Sequence, residues 1–300
     1  MPTSRRKFIQ QTAMGVLATA SIPQWLQAAA PAKTLTGVQL YSVRADMKKN
    51  PLATLKAVAE MGYKHVEHAN YINRKFYGYT PNEFKTILND LGLTMPSGHT
   101  VMNETHWDAT KKDFTETWKY TVEDAAIVGQ MLVISPSLEE RFRRLPDDLK
   151  RFMEVFNQSG ELCKKSGMRF GYHNHNFEFS KISGDQTMYD IILQYTDPSL
   201  VVHQLDFGNL FETGADAIAI IKKHPGRFVS MHVKDVIKND KGQYESTVLG
   251  KGVQLVKEIV ALGKKTGGTQ HFIVEQESYQ DITPLESIQQ DLAIMKKWGY

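Results

Sequence analysis

The hydrophobic residues of this chain follow two alternating patterns from Thr36 to the C-terminus. Short, nearly continuous apolar runs are typical of strands buried on both faces. They alternate with longer stretches in which apolar residues recur every three or four positions, as on the buried side of a helix. Pro51 lies in the first turn of the first predicted helix, and Gly92 and Gly129 follow the second and third. The pattern predicts a regular succession of strands and helices.

Eight strand-then-helix units fill residues 36–300. The predicted strands cover residues 37–41, 64–68, 93–99, 131–135, 168–175, 200–206, 228–233 and 270–275. The predicted helices cover residues 51–61, 81–91, 112–128, 146–165, 186–195, 215–223, 253–265 and 284–298. Such a chain is typical of a single (β/α)8 TIM barrel, an α/β fold. A doubly wound sheet fits less well, because Ser42-Val-Arg-Ala45 follows the first strand in place of a glycine-rich phosphate turn.

Polar side chains with metal-binding chemistry stand at the ends of the last four predicted strands. Alternate residues of a barrel strand point inward, so the innermost polar residue of each strand can be selected. These residues are His173, Asp206, His232 and Glu275. Two imidazoles and two carboxylates suit one divalent transition ion such as Mn²⁺, Co²⁺ or Zn²⁺ better than Ca²⁺.

Each of these four residues could instead be a hydrogen-bonded loop anchor. Four ionisable groups with matching orientation on consecutive strands are harder to explain in that way, because isolated buried charges are costly unless they are paired or bound to metal. The sequence therefore predicts a metal site at the mouth of the barrel. The three long segments 70–80, 100–113 and 236–252 all follow strands and are expected on the same face.

The first thirty residues have the parts of an export signal. Arg5, Arg6 and Lys7 precede an uncharged run that ends in small residues near Ala30. The paired arginines resemble a twin-arginine signal, which predicts an exported, periplasmic protein, or a tethered one if the signal is not cleaved. Pro23 makes the run a poor membrane-spanning helix, so no stable span is expected after cleavage. The alternatives are an N-terminal anchor and an incidental basic tail.

The charge of the chain is concentrated in this predicted signal. The formal net charge is +3, and the only charged residues before Lys33 are Arg5, Arg6 and Lys7, so cleavage leaves 3 − 3 = 0. A neutral chain without a basic stripe argues against nucleic-acid binding. The single cysteine, Cys163, excludes an intramolecular disulfide.

Several motifs of residues 36–300 resemble one family. They are Gly37-Val-Gln-Leu-Tyr-Ser-Val-Arg44, Leu205-Asp-Phe-Gly-Asn209, His232-Val-Lys-Asp235, Leu249-Gly-Lys-Gly252 and Ile273-Val-Glu275. With these motifs the chain resembles the sugar isomerase/epimerase family with xylose-isomerase-like TIM barrels. The resemblance implies a carbohydrate substrate and one divalent ion held by a Glu, Asp, His, Glu set. Asp206, His232 and Glu275 match that set, whereas His173 stands where the family usually has glutamate.

The resemblance implies chemistry at the carbon next to a carbonyl. A metal-bound carbonyl acidifies the neighbouring C–H, and a carboxylate removes the proton. Returning the proton gives an epimer or an isomer, while loss of a β-substituent makes the enzyme a lyase. Glu275 is the expected base, and His175 or Lys234 is the expected second acid or base. Because His173 cannot be the second carboxylate, elimination gains weight, for instance loss of the aglycone from a 3-keto-glycoside.

The remaining site predictions concern substrate binding. Glu67, His99, Asn176 and Asn209 are predicted to bind sugar hydroxyls. The aromatic residues of the long segments, His106, Trp107 and Tyr77, are predicted to form a platform for a sugar face.

Other functions stay open at this point. The barrel also resembles metal-dependent DNA-repair endonucleases, which would make the protein a phosphoesterase. A third alternative is a non-catalytic periplasmic sugar-binding protein. Only Gly250 and Gly252 suggest a phosphate loop, so a free sugar or glycoside is expected rather than a sugar phosphate. The sequence is compatible with a homo-oligomer.

Overall fold

The computed structural model describes residues 34–300. The predicted export signal, residues 1–30, lies outside the described residues and stays a prediction. Within the described part, no helix combines the length and the apolar character needed to span a bilayer.

Eight parallel strands close into a barrel, which confirms the predicted TIM fold. The strands are β1 (Leu35–Gln39), β2 (His65–His68), β3 (Thr94–His99), β4 (Leu132–Ser135), β5 (Arg169–His173), β6 (Val201–Asp206), β7 (Ser230–Val233) and β8 (His271–Val274). Each strand pairs with its neighbours in sequence, and β1 closes the ring by pairing Leu35 with His271 of β8 and Gly37 with His65 of β2.

Ten α-helices surround or cap the barrel in the described residues. They are α1 (Arg44–Lys49), α2 (Pro51–Glu60), α3 (Pro81–Asp90), α4 (Glu116–Val128), α5 (Pro146–Lys165), α6 (Met188–Tyr195), α7 (Phe207–Phe211), α8 (Ala217–Lys223), α9 (Val256–Leu262) and α10 (Pro284–Trp298). The bounds of α5 and α10 are those predicted. In α10 the Thr283 side chain and Glu286 form a capping box, which accounts for the sharp start. The short helices α1 and α7 were not predicted, since neither is long enough to show a helical period.

The long segments on the catalytic face contain hairpins that the hydrophobic pattern did not indicate. They pair residues 71–72 with 75–76, 107–108 with 113–114, and 235–238 with 244–247. The first hairpin turns through Asn73 and Arg74, whose φ angles of 50° and 59° are left-handed. These strands are too short and too polar to show a strand pattern in the sequence.

The hydrophobic core fills the space between the sheet and the helices. Trp118 of α4, Phe156 of α5 and Phe170 of β5 are completely buried. Phe170 packs edge-on against both of the others, with its ring centroid 6.0 Å from that of Trp118 and 5.0 Å from that of Phe156. Cys163 is buried in the same cluster, as expected for a small core residue. This packing fixes the strands and therefore the positions of the polar side chains at their ends.

Two carboxylates anchor the Leu249-Gly-Lys-Gly252 segment. Asp235 accepts hydrogen bonds from the backbone N–H groups of Gly250 (2.9 Å) and Gly252 (3.0 Å), and Asp291 of α10 accepts one from Leu249 (2.8 Å). A Cβ at residue 252 would collide with the Asp235 carboxylate, which explains the glycine. The motif thus joins the end of β7 to the outer helix layer.

Asp291 makes the stability of the fold sensitive to pH. Its Oδ2 is buried without a hydrogen-bond partner among the described residues, and burial raises the pKa of the carboxyl from 3.8 to about 7. The folded protein therefore binds more protons than the unfolded chain between these pH values, and its stability falls as the pH rises through them.

We expect Asp291→Asn to remove this pH dependence. The wild type should lose up to roughly 4 kcal/mol of unfolding free energy from pH 4 to pH 7 that the variant does not lose, because one pKa unit corresponds to about 1.4 kcal/mol. Urea unfolding at several pH values measures this difference. Asp240→Asn, at an exposed hairpin tip, is the control and should follow the wild-type profile. Parallel pH profiles for Asp291→Asn and wild type would contradict the assignment.

Candidate functional site

The C-terminal ends of β6, β7 and β8 bring three of the predicted metal ligands together. Nδ1 of His232 lies 2.9 Å from Oε2 of Glu275 and 3.7 Å from Oδ2 of Asp206. The ligand atoms of these three residues all lie within 4.8 Å of one another, and all three side chains are buried. The cause is the register of the barrel, in which Asp206 is paired directly with His232.

Two further imidazoles complete the cluster. His173, the fourth predicted ligand, has its ring centroid 4.5 Å from that of His232. His99, predicted to bind substrate, stacks on His232 at 5.1 Å and approaches His173 at 4.8 Å. The ligand atoms of these three histidines also lie within 4.8 Å of one another, so His232 belongs to two overlapping triads. The structure thus places His99 beside the predicted ligands.

Glu67 lies beneath the cluster and is completely buried. Its Oε1 is 2.7 Å from Nε2 of His232 and 3.1 Å from Nε2 of His99, and it accepts a hydrogen bond from Gln39 at 2.8 Å. Its Oε2 accepts from Gln204 at 2.9 Å. No surface of Glu67 remains for a sugar hydroxyl, so the predicted direct contact with substrate is not possible. Glu67 instead orients the imidazoles of His99 and His232.

The electrostatics around Glu67 are those of a carboxylate that supports a metal-binding imidazole. Burial raises the pKa of Glu67, but His99 and His232 outweigh this effect and hold the pKa well below its usual range. A carboxylate that accepts the outer N–H of a histidine fixes the tautomer and makes the other nitrogen a better ligand. His232 therefore presents Nδ1 to the space shared with Asp206 and Glu275.

Lys234 places a cation between the two carboxylates of the cluster. Its Nζ lies 2.9 Å from Oδ2 of Asp206, 2.7 Å from Oε2 of Glu275 and 3.2 Å from Oε1 of Glu277. A Cβ at Gly208 would lie 2.6 Å from the lysine stem, so the glycine makes room for this side chain. Burial lowers the pKa of Lys234, but Asp206 and Glu275 outweigh it and raise the pKa well above the usual value. Lys234 is therefore a protonated ammonium at neutral pH and has no lone pair with which to act as a base.

Glu275 has the protonation state that a base requires. Burial raises the pKa of Glu275, but Lys234 and His232 outweigh it and lower the pKa to about 2. The carboxylate is thus ionised throughout the neutral range.

The other predicted site residues line a cavity of about 240 Å³ next to Lys234 and Glu277. His175, Asn176 and Asn209 all border it. Burial lowers the pKa of His175, whose Nδ1 has no hydrogen-bond partner among residues 34–300. The two asparagines are partly engaged with the protein: Asn176 donates to Glu212, and the Asn209 backbone donates to Asp206 at 2.8 Å.

The predicted aromatic platform is not formed. His106 borders a different cavity next to His99, Tyr77 borders a third one beside Arg44, and Trp107 packs edge-on against Phe114 at 4.9 Å. The prediction was wrong because the hairpins in the long segments direct these rings to different places.

Glu178 is a buried residue that the sequence analysis did not identify. It accepts hydrogen bonds from the Tyr172 hydroxyl and from the His175 backbone N–H at 2.9 Å. Burial raises the pKa of Glu178 to about 7. Its position between Phe177 and Phe179 was the available signal, since a carboxylate flanked by aromatics points to burial.

The ends of the barrel strands thus carry clustered imidazoles and carboxylates that could hold a metal ion. The chain belongs to the family described as xylose isomerase-like TIM barrel, which matches residues 55–298.

Similar proteins are dehydratases and isomerases or epimerases by description. Inosose dehydratase of Clostridium perfringens is 30% identical over 113 residues, which are 38% of this chain and 36% of that protein. Its counterpart in Clostridium beijerinckii is 27% identical over 199 residues, 60% of this chain and 63% of that protein. The chain thus spans between about a third and two thirds of the curated relatives it matches here.

Two solved structures share the fold over nearly their whole length. A sugar phosphate isomerase/epimerase from Parabacteroides distasonis is 26% identical with a TM-score of 0.75, covering 88% of this chain and 98% of that one. The IolI protein with a bound zinc atom is 12% identical with a TM-score of 0.69, covering 88% and 97%. The second likeness concerns the fold alone.

Replacing Lys234 tests the charge balance of the cluster. We expect Lys234→Met to lose roughly 3–5 kcal/mol of unfolding free energy in metal-free buffer, because it leaves buried carboxylates unpaired. Added Zn²⁺ or Mn²⁺ should restore much of this loss by supplying another cation to Asp206 and Glu275. Urea unfolding with and without metal measures both effects.

The matched control is Lys223→Met, which removes an exposed lysine 2.8 Å from Asp190. Its change in unfolding free energy should stay within about 1 kcal/mol. A Lys234→Met protein that is as stable as this control, or that gains nothing from metal, would contradict the assigned cluster.

Proposed function

We propose that this protein is a divalent-metal-dependent enzyme that removes a proton next to the carbonyl of a sugar or sugar derivative, followed by β-elimination. The observation that carries the proposal is the ionised Glu275 carboxylate in one buried cluster with Asp206, His232 and the Lys234 ammonium, beside an open cavity. Such a cluster combines a base, a proton donor and a set of metal ligands.

The residues present fit a divalent ion. Asp206, His232, Glu275 and His173 would hold it. The ligand atoms of Asp206, His232 and Glu275 lie within 4.8 Å of one another, and a bound ion would take over the carboxylate oxygens that Lys234 now neutralises at 2.9 Å and 2.7 Å. When bound, the ion polarises the substrate carbonyl and stabilises the negative charge that develops on it. The mixed imidazole and carboxylate set favours Mn²⁺, Co²⁺ or Zn²⁺, and zinc is the metal found in the same fold in IolI.

Glu275 and Lys234 have complementary roles in the proposal. Glu275 takes the proton from the carbon next to the carbonyl, since its carboxylate is ionised and faces the cluster. The Lys234 ammonium supplies a proton to the departing oxygen, because it borders the cavity of 240 Å³. The neutral His175 borders the same cavity and can accept or donate a hydrogen bond to the substrate.

Elimination is favoured over epimerisation because the strand ends that face Glu275 across the barrel carry imidazoles and, within residues 34–300, no carboxylate. The ends of β3 and β5 carry His99 and His173 there, and no carboxylate faces Glu275 from these strands in the described residues. Epimerisation needs a base on each face of the substrate, whereas elimination works with one base and one acid. The dehydratase relatives support this choice.

Sugar isomerisation or epimerisation is the second candidate. It is favoured by the likeness to the sugar phosphate isomerase/epimerase over 98% of that chain. It is also favoured by Glu277, a second carboxylate that borders the cavity and could take part in proton transfer.

A substrate without a phosphate group is part of the proposal. TIM barrels often bind phosphate with the backbone N–H groups after the last two strands. Here the N–H groups of Gly250 and Gly252 donate to Asp235, whose negative charge repels an anion. An exported location, where free sugars and glycosides are met, is consistent with this choice and belongs to the proposal as well.

Proton exchange in D₂O tests the function. Metal-loaded protein is incubated with an inosose, a ketose and a 3-keto-glycoside, and NMR follows deuterium next to the carbonyl and loss of the β-substituent. We expect exchange together with release, and a loss of about 10³-fold in Glu275→Gln and after chelation of the metal. Glu161→Gln, on the exposed side of α5, should keep the wild-type rate.

The products separate the candidates. Exchange without release would favour the isomerase or epimerase reaction. Absence of both across the panel, in protein shown to hold metal, would contradict proton abstraction altogether and return the sugar-binding protein to consideration.

A further inference from the structure

A larger cavity of about 560 Å³ lies next to the cluster on the side of β2 and β3. His99 belongs to its wall, and this side chain also stacks on His232. The cavity of 240 Å³ is formed by the segments after β5 to β8, so the strand order places the two cavities on opposite sides of the barrel axis. Neither the proposed proton abstraction nor the metal ligands use the larger cavity.

Three aromatic rings line this cavity, and each contacts a side chain next to it; two of these partners, Asp124 and Trp118, are buried. The Tyr71 hydroxyl donates to Oδ2 of the buried Asp124 at 2.6 Å. The Arg74 guanidinium carbon lies 4.0 Å from the ring centre of Tyr120. His106 stacks on the buried Trp118 at 5.2 Å. Rings fixed in this way can bind a flat or ring-shaped group with little loss of side-chain entropy.

The charge of the cavity does not suit an anion. Its one arginine, Arg74, lies 2.6 Å from Asp124 and 3.0 Å from Glu123, so two carboxylates neutralise one guanidinium. Asn70 and Thr100 add polar, uncharged side chains to the wall. Uncharged hydrogen-bonding groups beside aromatic rings match a neutral polar ring better than a phosphate.

We propose that this cavity is a second subsite, which holds an uncharged sugar or aryl ring joined to the carbonyl sugar. The substrate is then a glycoside and not a free monosaccharide, an inference that rests on the proposed function for its reaction. In that reaction Glu275 takes the proton, the C–H electron pair forms the new double bond, and the bond from the β-carbon to the linking oxygen breaks. That oxygen keeps the bonding pair, takes a proton from the Lys234 ammonium, and leaves as an alcohol or phenol.

Binding of unreactive glycosides tests the subsite without any turnover. Zinc-loaded protein is titrated by ligand-observed NMR with methyl β-glucoside, phenyl β-glucoside, cellobiose, glucose and glucose 6-phosphate. We expect phenyl β-glucoside and cellobiose to bind roughly 5- to 10-fold more tightly than methyl β-glucoside, which lacks the second ring. Glucose 6-phosphate should bind no more tightly than glucose.

Variants assign the gain in affinity to this cavity. Tyr120→Ala should reduce the ratio between the phenyl and methyl glucosides to near one. Tyr195→Ala is the matched control, because Tyr195 on α6 is 40% exposed and Tyr120 is 38% exposed. Ile72→Glu, at an exposed position of the rim, should lower the ratio too and serves if Tyr120→Ala does not fold.

Equal affinities for the phenyl and methyl glucosides, or a ratio that survives both Tyr120→Ala and Ile72→Glu, would overturn the subsite. The result is independent of the D₂O experiment. Deuterium exchange in D₂O together with equal affinities for the phenyl and methyl glucosides would reject the subsite alone. Tighter binding of the phenyl glucoside without any deuterium exchange would reject the proposed reaction alone.

Discussion

The compensation of charge in the buried cluster is the interaction on which the site depends. Glu67, Asp206 and Glu275 are carboxylates with almost no exposure to water, and each would be strongly disfavoured alone. Their partners are Lys234 and the imidazole of His232, which lie within hydrogen-bonding distance of them. The balance keeps Glu275 ionised inside the protein, which is the state in which a carboxylate can take a proton from a bound substrate.

The barrel supplies this arrangement through its register. Adjacent parallel strands place Asp206 beside His232, and inward-facing positions of neighbouring strands meet near the axis. The same geometry puts Glu67 one layer deeper, where it fixes His99 and His232 from below. The outer parts of the site come from segments after the strands, so they can differ in shape while the cluster stays fixed.

The two cavities on opposite sides of the cluster indicate what kind of substrate the proposed enzyme would bind. The smaller one brings Lys234, His175 and Glu277 to a common space, which suits the reacting sugar. The larger one offers rings and neutral polar groups, and the segment that could have bound phosphate is occupied by Asp235. Together they favour an uncharged, extended carbohydrate.

The sequence by itself determined the fold and indicated the four polar residues that the structure brings close together at the mouth of the barrel. Eight alternations of apolar runs and amphipathic stretches leave few other architectures, and strand parity selected His173, Asp206, His232 and Glu275, because the period of a strand fixes which side chains face inward. Tertiary structure alone decided the burial of Glu67 against His232, 165 positions away, and the seating of Lys234 between carboxylates of other strands. It also decided the role of Gly250 and Gly252 and the separation of His106, Trp107 and Tyr77. Contacts between distant segments leave no periodic trace in the chain, so only the packed structure reveals them.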